Sequence, residues 1–294
     1  MLMLSKKSLY LIAAAVLLAA SAQAQILYEP GATQGQPPKV PESITFAGTT
    51  YRFDRPDLYE RMDRELIAFT YSHTLSTLML KRAERIFSQV VPILKKNGVP
   101  EDLKYLMAIE SNLNPTAISP AGAGGLWQFM KATGRGYGLE VNDEVDERFH
   151  IVKATEAACK YLKQSYAKYS DWMTVAASYN AGQGGISGRI EAQGQDLAMD
   201  LLLPEETSRY MFRILAAKLF FEHPENFGYR IDPADCYKYK APKKTIEVKE
   251  AIPNLAEFAK NNGTSYFLLR QANPWLRSEA LTNKNGKTYK IDIP

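Results

Sequence analysis

Histidine and cysteine are scarce in this 294-residue chain, which holds three of the first and two of the second. No Cys-x-x-Cys pair occurs, so the usual zinc-ligand spacings are missing and the sequence offers neither a metal site nor a cofactor motif. Cys159 and Cys236 leave one disulfide open. Cys159, however, sits in an Ala-rich helical pattern, where a small buried thiol is the ordinary state. A strong excess of one charge is also absent. Lys and Arg number 36 against 32 Asp and Glu, a net charge of +4, which does not argue for nucleic acid but suits a mildly basic surface facing an anionic polymer. Long apolar runs are lacking too: Leu9 to Ala20 spans 12 residues, short of the roughly 20 needed to cross a bilayer.

That short run has other features around it. Lys6 and Lys7 precede it and Ala22-Gln23-Ala24 follows. A basic start, an apolar stretch and an Ala-x-Ala site predict a secretory signal peptide over residues 1–24, with the mature chain beginning at Gln25. Its removal takes two lysines and no acidic residue, lowering the net charge from +4 to +2. No cysteine lies near the cleavage site, so a lipid-anchored N-terminus is not supported. The expected address is outside the cytoplasm.

Residues 25–55 carry Gly31, Gly35, Pro37, Pro38 and Pro41 with little periodicity, and read as an extended leader or linker. From Pro56 the pattern turns helical. Leu58, Met62, Leu66 and Phe69 recur at three- and four-residue spacing, as do Leu75, Leu78, Met79, Ile86, Val90 and Ile93. Pro92 falls inside this second run, where it kinks or ends a helix. Asn97-Gly98 closes it, and Pro100 opens a third helix over 101–110. Further helical patterns cover 153–168, 171–181 and 205–221. A mostly α-helical main domain over 56–235 follows. After Cys236 the pattern changes. Thr245 to Val248 and Thr288 to Ile293 alternate like strands, and two amphipathic stretches lie between them, Leu255 to Lys260 and Tyr266 to Ala272. Residues 236–294 are therefore expected to form a small separate βααβ module.

The segment with most chemical content starts at Glu110. Leu103, Leu106, Met107 and Ile109 place this carboxyl at the C-terminal end of an apolar helix. Desolvation and the partial negative charge of the helix terminus both raise its pKa. A carboxylic acid that stays protonated at neutral pH can donate a proton to a leaving oxygen. Taken alone, Glu110 also reads as an ordinary solvated residue. The residues around it argue otherwise. Gly122, Gly124 and Gly125 permit close backbone approach to a ligand. Leu126-Trp-Gln-Phe-Met130 is apolar apart from one amide, and equally reads as a core helix. Ala177-Ser-Tyr-Asn-Ala-Gly182 sets a phenol and a carboxamide beside a helix-ending glycine.

Four motifs in order, Glu110-Ser111, Gly125-Leu-Trp-Gln-Phe-Met130, Tyr179-Asn-Ala-Gly182 and Glu206-Thr207-Ser-Arg-Tyr210, resemble the lytic transglycosylase family over residues 57–222. The resemblance implies a goose-type, lysozyme-like helical fold and an enzyme acting on the glycan strands of peptidoglycan, without nucleic acid or cofactor. It makes Glu110 the catalytic acid/base. It assigns Ser111, Ser119, Gln128, Met130, Tyr179, Asn180 and Tyr210 to the glycan cleft or to orienting the acid. Ser111 also reads as a helix cap and Tyr210 as a packing aromatic. Lys131, Ser178 and His150-Ile151 depart from the family pattern at the rim. Residues 245–293 resemble a LysM module, but Ala251-Ile-Pro-Asn-Leu255 replaces the Gly-Asp-Thr-Leu that opens that family. Peripheral association with the outer membrane or wall is left open.

Two-carboxylate glycosidases place a second acid about 5 to 10 Å from the first. No acidic residue lies between Glu110 and Glu140, and Asp143 to Glu147 reads as a charged, solvated turn. One Glu acting twice is what the resemblance implies: it cleaves the β-1,4 bond after N-acetylmuramic acid and closes a 1,6-anhydro ring. Two rivals remain, a lysozyme-type hydrolase using Asp143 or Asp146 to place water, and a non-catalytic wall-binding protein.

Overall fold

The computed structural model describes residues 36–294, so the expected signal peptide and residues 25–35 of the leader lie outside the described residues. Among these described residues ten α-helices dominate, with two small two-stranded sheets. The first sheet takes up residues 43–52 of the expected leader. Strands β1 (Ser43–Phe46) and β2 (Thr49–Arg52) pair antiparallel, Ser43 opposite Arg52 and Phe46 opposite Thr49. Ala47 and Gly48 form the two-residue turn, both at positive φ, as a hairpin of this length requires. Ile44, Phe46, Tyr51 and Phe53 are buried in the main core. The Tyr51 hydroxyl donates to Asp171 at 3.1 Å. This hairpin is part of the domain rather than a tether to it.

Helices α1 (Pro56–Tyr71), α2 (His73–Lys96), α3 (Leu103–Ser111), α4 (Lys131–Gly136), α5 (Ile151–Tyr169), α6 (Trp172–Ala181), α7 (Gln183–Gln193) and α8 (Glu205–Glu222) build that domain. Helix α2 continues through Pro92 without ending there. Pro92 is exposed, so its ring and missing donor lie on the solvent side, away from the core packing. Helix α3 is the central one. Leu103, Leu106, Met107 and Ala108 are all fully buried, and it packs against α8 and α2. Two consecutive left-handed residues, Asn112 at φ 50° and Leu113 at φ 55°, stop it one residue after Ser111. Such a conformation is costly for a side chain like Leu, and here the Leu113 side chain is fully buried in the core. Glu110 is thereby held in the last turn.

The C-terminal module has the expected order: β3 (Lys244–Val248), α9 (Leu255–Asn261), α10 (Tyr266–Ala272) and β4 (Tyr289–Ile293), with β3 and β4 antiparallel. It is not separate. Val145 and Phe149 of the main domain share one core with Leu255, Leu269, Leu276 and Ile291. Backbone bonds join them as well, Asp146 N–H to Trp275 O at 2.8 Å and Arg277 N–H to Glu144 O at 2.7 Å. Both cysteines carry free thiols, and burial pushes Cys159 up to about 11.

Candidate active site

Helices α3, α6 and α8 converge on Glu110. Its carboxylate, half-buried, accepts a hydrogen bond from the Tyr210 hydroxyl of α8 at 2.6 Å. Burial is the largest influence on its pKa and raises it from 4.5 to about 7. Two residues of α8 oppose one another there besides Tyr210: the Glu206 carboxylate raises Glu110 further, and the Arg213 guanidinium lowers it. Glu110 is thus a neutral acid through most of the range below neutrality, as its apolar helix predicts. Tyr210 and Tyr179 are both pushed well above their usual range by burial and by the Glu110 charge. Neither phenol ionises near neutral pH, so both serve as donors.

Tyr179 does not reach Glu110 by a hydrogen bond. Its hydroxyl donates to Trp127 O at 2.6 Å, and its ring packs edge-on against Tyr161. It anchors the loop 117–130 to α6. Asn180 joins α6 to the first turn of α8: its carbonyl accepts from Thr207 Oγ1 at 2.8 Å, and its amide donates to Glu206 at 3.3 Å. The Tyr-Asn and Glu-Thr motifs, distant in sequence, are therefore one hydrogen-bonded cluster next to Glu110.

The remaining assigned residues build the loop itself. Gln128, at φ 48°, donates from Nε2 to Gly125 O at 2.7 Å and to Ala117 O at 3.2 Å. Ser119 Oγ accepts from Ala123 N–H at 3.1 Å. Ser111 is buried and donates to Met107 O at 3.3 Å, satisfying its own helix. Met130 is exposed on the surface. Trp127 is fully buried, its indole N–H donating to Thr155 Oγ1 at 3.0 Å. The segment 126–130 is a tight loop and not the core helix its apolarity allowed.

One residue that carries this loop had no role in the sequence reading. Arg148, buried, donates from Nη1 to Gly122 O at 2.8 Å and to Phe129 O at 2.9 Å, and chelates Asp146 through Nε and Nη2. Gly125, at φ 77°, lies so close that a Cβ there would meet Arg148 O at 1.8 Å. The expected solvated turn over 143–147 is corrected in the same place. Asp146 and Glu147 are buried, because Arg148 neutralises the first, while Lys153 and the Glu140 N–H satisfy the second. Asp-x-Arg is too short a signal to show this from sequence. Glu206 was missed as a partner of Glu110 for a similar reason: it comes from a helix nearly a hundred residues away.

The chain can be compared with known proteins on this basis. Residues 92–200 match the family described as Transglycosylase SLT domain. Residues 244–294 match the Soluble lytic transglycosylase C-terminal LysM-like domain. Membrane-bound lytic murein transglycosylase D of Escherichia coli (strain K12) is 29% identical over 198 residues, 65% of this chain and 43% of that protein. Peptidoglycan transglycosylase gp16 of Escherichia phage T7 is 37% identical over 124 residues, 40% of this chain and 9% of that one. The chain thus spans less than half the length of these relatives. A solved structure of an inactive mutant of lytic transglycosylase Slt from Pseudomonas aeruginosa aligns with a TM-score of 0.39 at 19% identity, covering 52% of this chain and 26% of that one.

Proposed function

We propose that this chain, whose residues 92–200 belong to the transglycosylase SLT domain family and whose residues 244–294 belong to the LysM-like family of soluble lytic transglycosylase C-termini, is a peptidoglycan lytic transglycosylase. It cleaves the β-1,4 bond between N-acetylmuramic acid and N-acetylglucosamine and leaves a 1,6-anhydromuramic end. The observation that carries this reading is the half-buried Glu110 carboxyl, raised to about 7 and hydrogen-bonded by Tyr210.

Protonated Glu110 donates its proton to the glycosidic oxygen as the bond to the muramyl C1 breaks, and the N-acetylglucosamine end leaves as an alcohol. The substrate's own N-acetyl oxygen supports the positive charge at C1, so no protein nucleophile is needed. The Glu110 carboxylate, held by Tyr210, then removes the proton of the C6 hydroxyl, whose oxygen closes on C1. No water is consumed, and Glu110 ends protonated, ready for another cycle. Glu206 acts on this carboxyl through its charge, which favours the protonated starting state.

The catalytic unit spans residues 56–235 together with the hairpin at 43–52, and the LysM-like module spans 236–294; peripheral association with the wall or the outer membrane belongs to the same reading. Lys6, Lys7 and the Ala22-Gln23-Ala24 site support export to the periplasm over residues 1–24. Mass spectrometry of products from purified glycan strands tests the reaction. Anhydromuramic ends are expected, and they should vanish in Glu110→Gln. Reducing-end muramic acid would assign a hydrolase instead, and activity that survives Glu110→Gln would leave a wall-binding protein.

A further inference from the structure

Phe149 links the C-terminal module to the loop beside Glu110. Its side chain is buried, and it belongs to the core of the module rather than to that of the main domain. The tip of the same ring reaches loop 117–130. A Cβ added at Gly124 would sit 3.0 Å from Phe149 Cζ and 3.1 Å from the guanidinium carbon of Arg148, so glycine at 124 is what permits the approach. The module also covers this ring from its own side chains, with the Arg277 guanidinium carbon 4.5 Å from the ring centroid. Val145 and Leu276 form an antiparallel bridge that sets the register of the junction. Two carboxylates extend it: Glu144 accepts from the N–H and Oγ1 of Thr282 at 2.8 and 3.0 Å, and Glu140 accepts from the Tyr289 hydroxyl at 3.1 Å. The segment 140–149, which carries Arg148, is thus held by the module along its length.

We propose that the C-terminal module is a positioning element of the active site, acting through Phe149 and Arg277 on the loop that borders Glu110. Its effect on turnover rests on the transglycosylase reading above. The contacts run without a gap. Phe149 and Arg148 meet Gly124, whose N–H donates to Phe129 O at 3.0 Å. Gln128 and Trp127 follow, and the Trp127 carbonyl takes the Tyr179 hydroxyl of α6. The loop has little regular structure to hold it: Ile118 with Gly124 and Gly124 with Phe129 are isolated bridges. Gln128 also sits at φ 48°, a strained conformation that persists only where the surroundings enforce it. Part of that enforcement comes from the module. So short a module cannot close a large core by itself, and it completes one by taking in Val145 and Phe149. Order in the module and order in the loop are therefore coupled.

The test uses full-length protein. Arg277→Gln removes the guanidinium at an exposed residue, where folding is not at risk, and Arg277→Lys keeps a cation over the ring. Phe149→Leu keeps an apolar side chain and removes the ring tip that reaches Gly124. Hydrogen–deuterium exchange reads the loop without substrate. In Arg277→Gln the amides of Gly124 and Gly125 should exchange about threefold faster, the worth of one exposed cation–ring contact, while α1 and α8 keep wild-type protection. Arg277→Lys should restore most of the loop protection. In Phe149→Leu the loop should exchange faster still, and kcat on glycan strands should fall by about tenfold with a smaller change in KM, because a displaced loop misaligns the reacting groups. Unchanged loop exchange in Arg277→Gln would overturn the proposal. So would protection lost evenly from loop, α1 and α8 in that variant, since the junction would then serve the fold alone. If Phe149→Leu does not fold, Arg277→Gln and Arg277→Lys decide by the same exchange. If wild-type protein leaves no anhydromuramic ends, the transglycosylase reading is what falls, and exchange at Gly124 and Gly125 still decides whether the module holds the loop.

Discussion

Glu206 and Tyr210 stand one helical turn apart on α8 and act on Glu110 in opposite senses. The Tyr210 hydroxyl donates to the carboxylate and stabilises its charged form, whereas the Glu206 charge repels it and stabilises the neutral form. One helix thus tunes a single acid both ways, and the two residues can be separated by mutation.

Tyr210→Phe removes the hydrogen bond that lowers the Glu110 pKa. The acid should then hold its proton to higher pH, moving the alkaline limb of kcat/KM above its wild-type position near 7. The carboxylate formed in the second half of the reaction loses its donor, so kcat should fall by about 100- to 1000-fold, the range seen for loss of a preorganised donor. A pH–rate profile checks both effects, and an alkaline limb displaced downwards would contradict the assignment.

Glu206→Gln has the reverse sign. Without the neighbouring negative charge Glu110 ionises more easily, so the alkaline limb should move below the wild-type position. The hydrogen bond from Asn180 survives, because a glutamine oxygen also accepts from Nδ2. High salt should mimic part of the effect, since it screens an exposed charge.

The same raised pKa affects stability. In the folded state Glu110 keeps its proton to about 7, whereas the unfolded carboxyl releases it near 4.5. Folded protein therefore binds more protons between those values, and this contribution to stability is fully present below 4.5 and is lost as pH rises through 7. Glu110→Gln never ionises. It should match the wild type in thermal melts near pH 4 and exceed it at pH 8, by a margin on the order of 3 kcal/mol. Equal stability at both pH values would mean that the carboxyl is not held in a desolvated site.

Local periodicity carried much of this architecture. The 3.6-residue spacing of Leu58, Met62, Leu66 and Phe69 marked α1, and the alternation of Thr245 to Val248 and Thr288 to Ile293 marked the sheet of the βααβ module. The hairpin at 43–52 was obscured by the prolines and glycines around it, although Ser43 to Phe46 alternates exposed and buried. Helix α7 carries Gly184, Gly185 and Gly188 and buries only Ile186. Glycine costs about 1 kcal/mol in a helix, so nothing local announces it. Glu110 was legible because its motif lies in one stretch of sequence. The field of Glu206, the clamp of Arg148 and the place of Phe149 in the module's core were not, since each joins residues from distant segments.

Arg148 gives the clearest separation of stability from positioning. Arg148→Ala leaves Asp146 a buried carboxylate with only the backbone N–H of residue 148 as a hydrogen-bond donor, which costs roughly 3 to 5 kcal/mol, and removes the guanidinium contacts to the carbonyls of Gly122 and Phe129. Loss of activity in that variant would not distinguish unfolding from a loosened loop. The pair Arg148→Met with Asp146→Leu does. Replacing a buried ion pair by apolar groups of similar volume is often neutral for stability, so the melting temperature should recover most of what the single variant lost. The two carbonyl contacts do not return, and the loop that Gln128 and Tyr179 hold from its other side stays unclamped at 122 and 129. Turnover should therefore remain about tenfold or more below wild type while the fold is regained, as expected when a positioning contact is lost. Recovery of both together would show that Arg148 serves only the core.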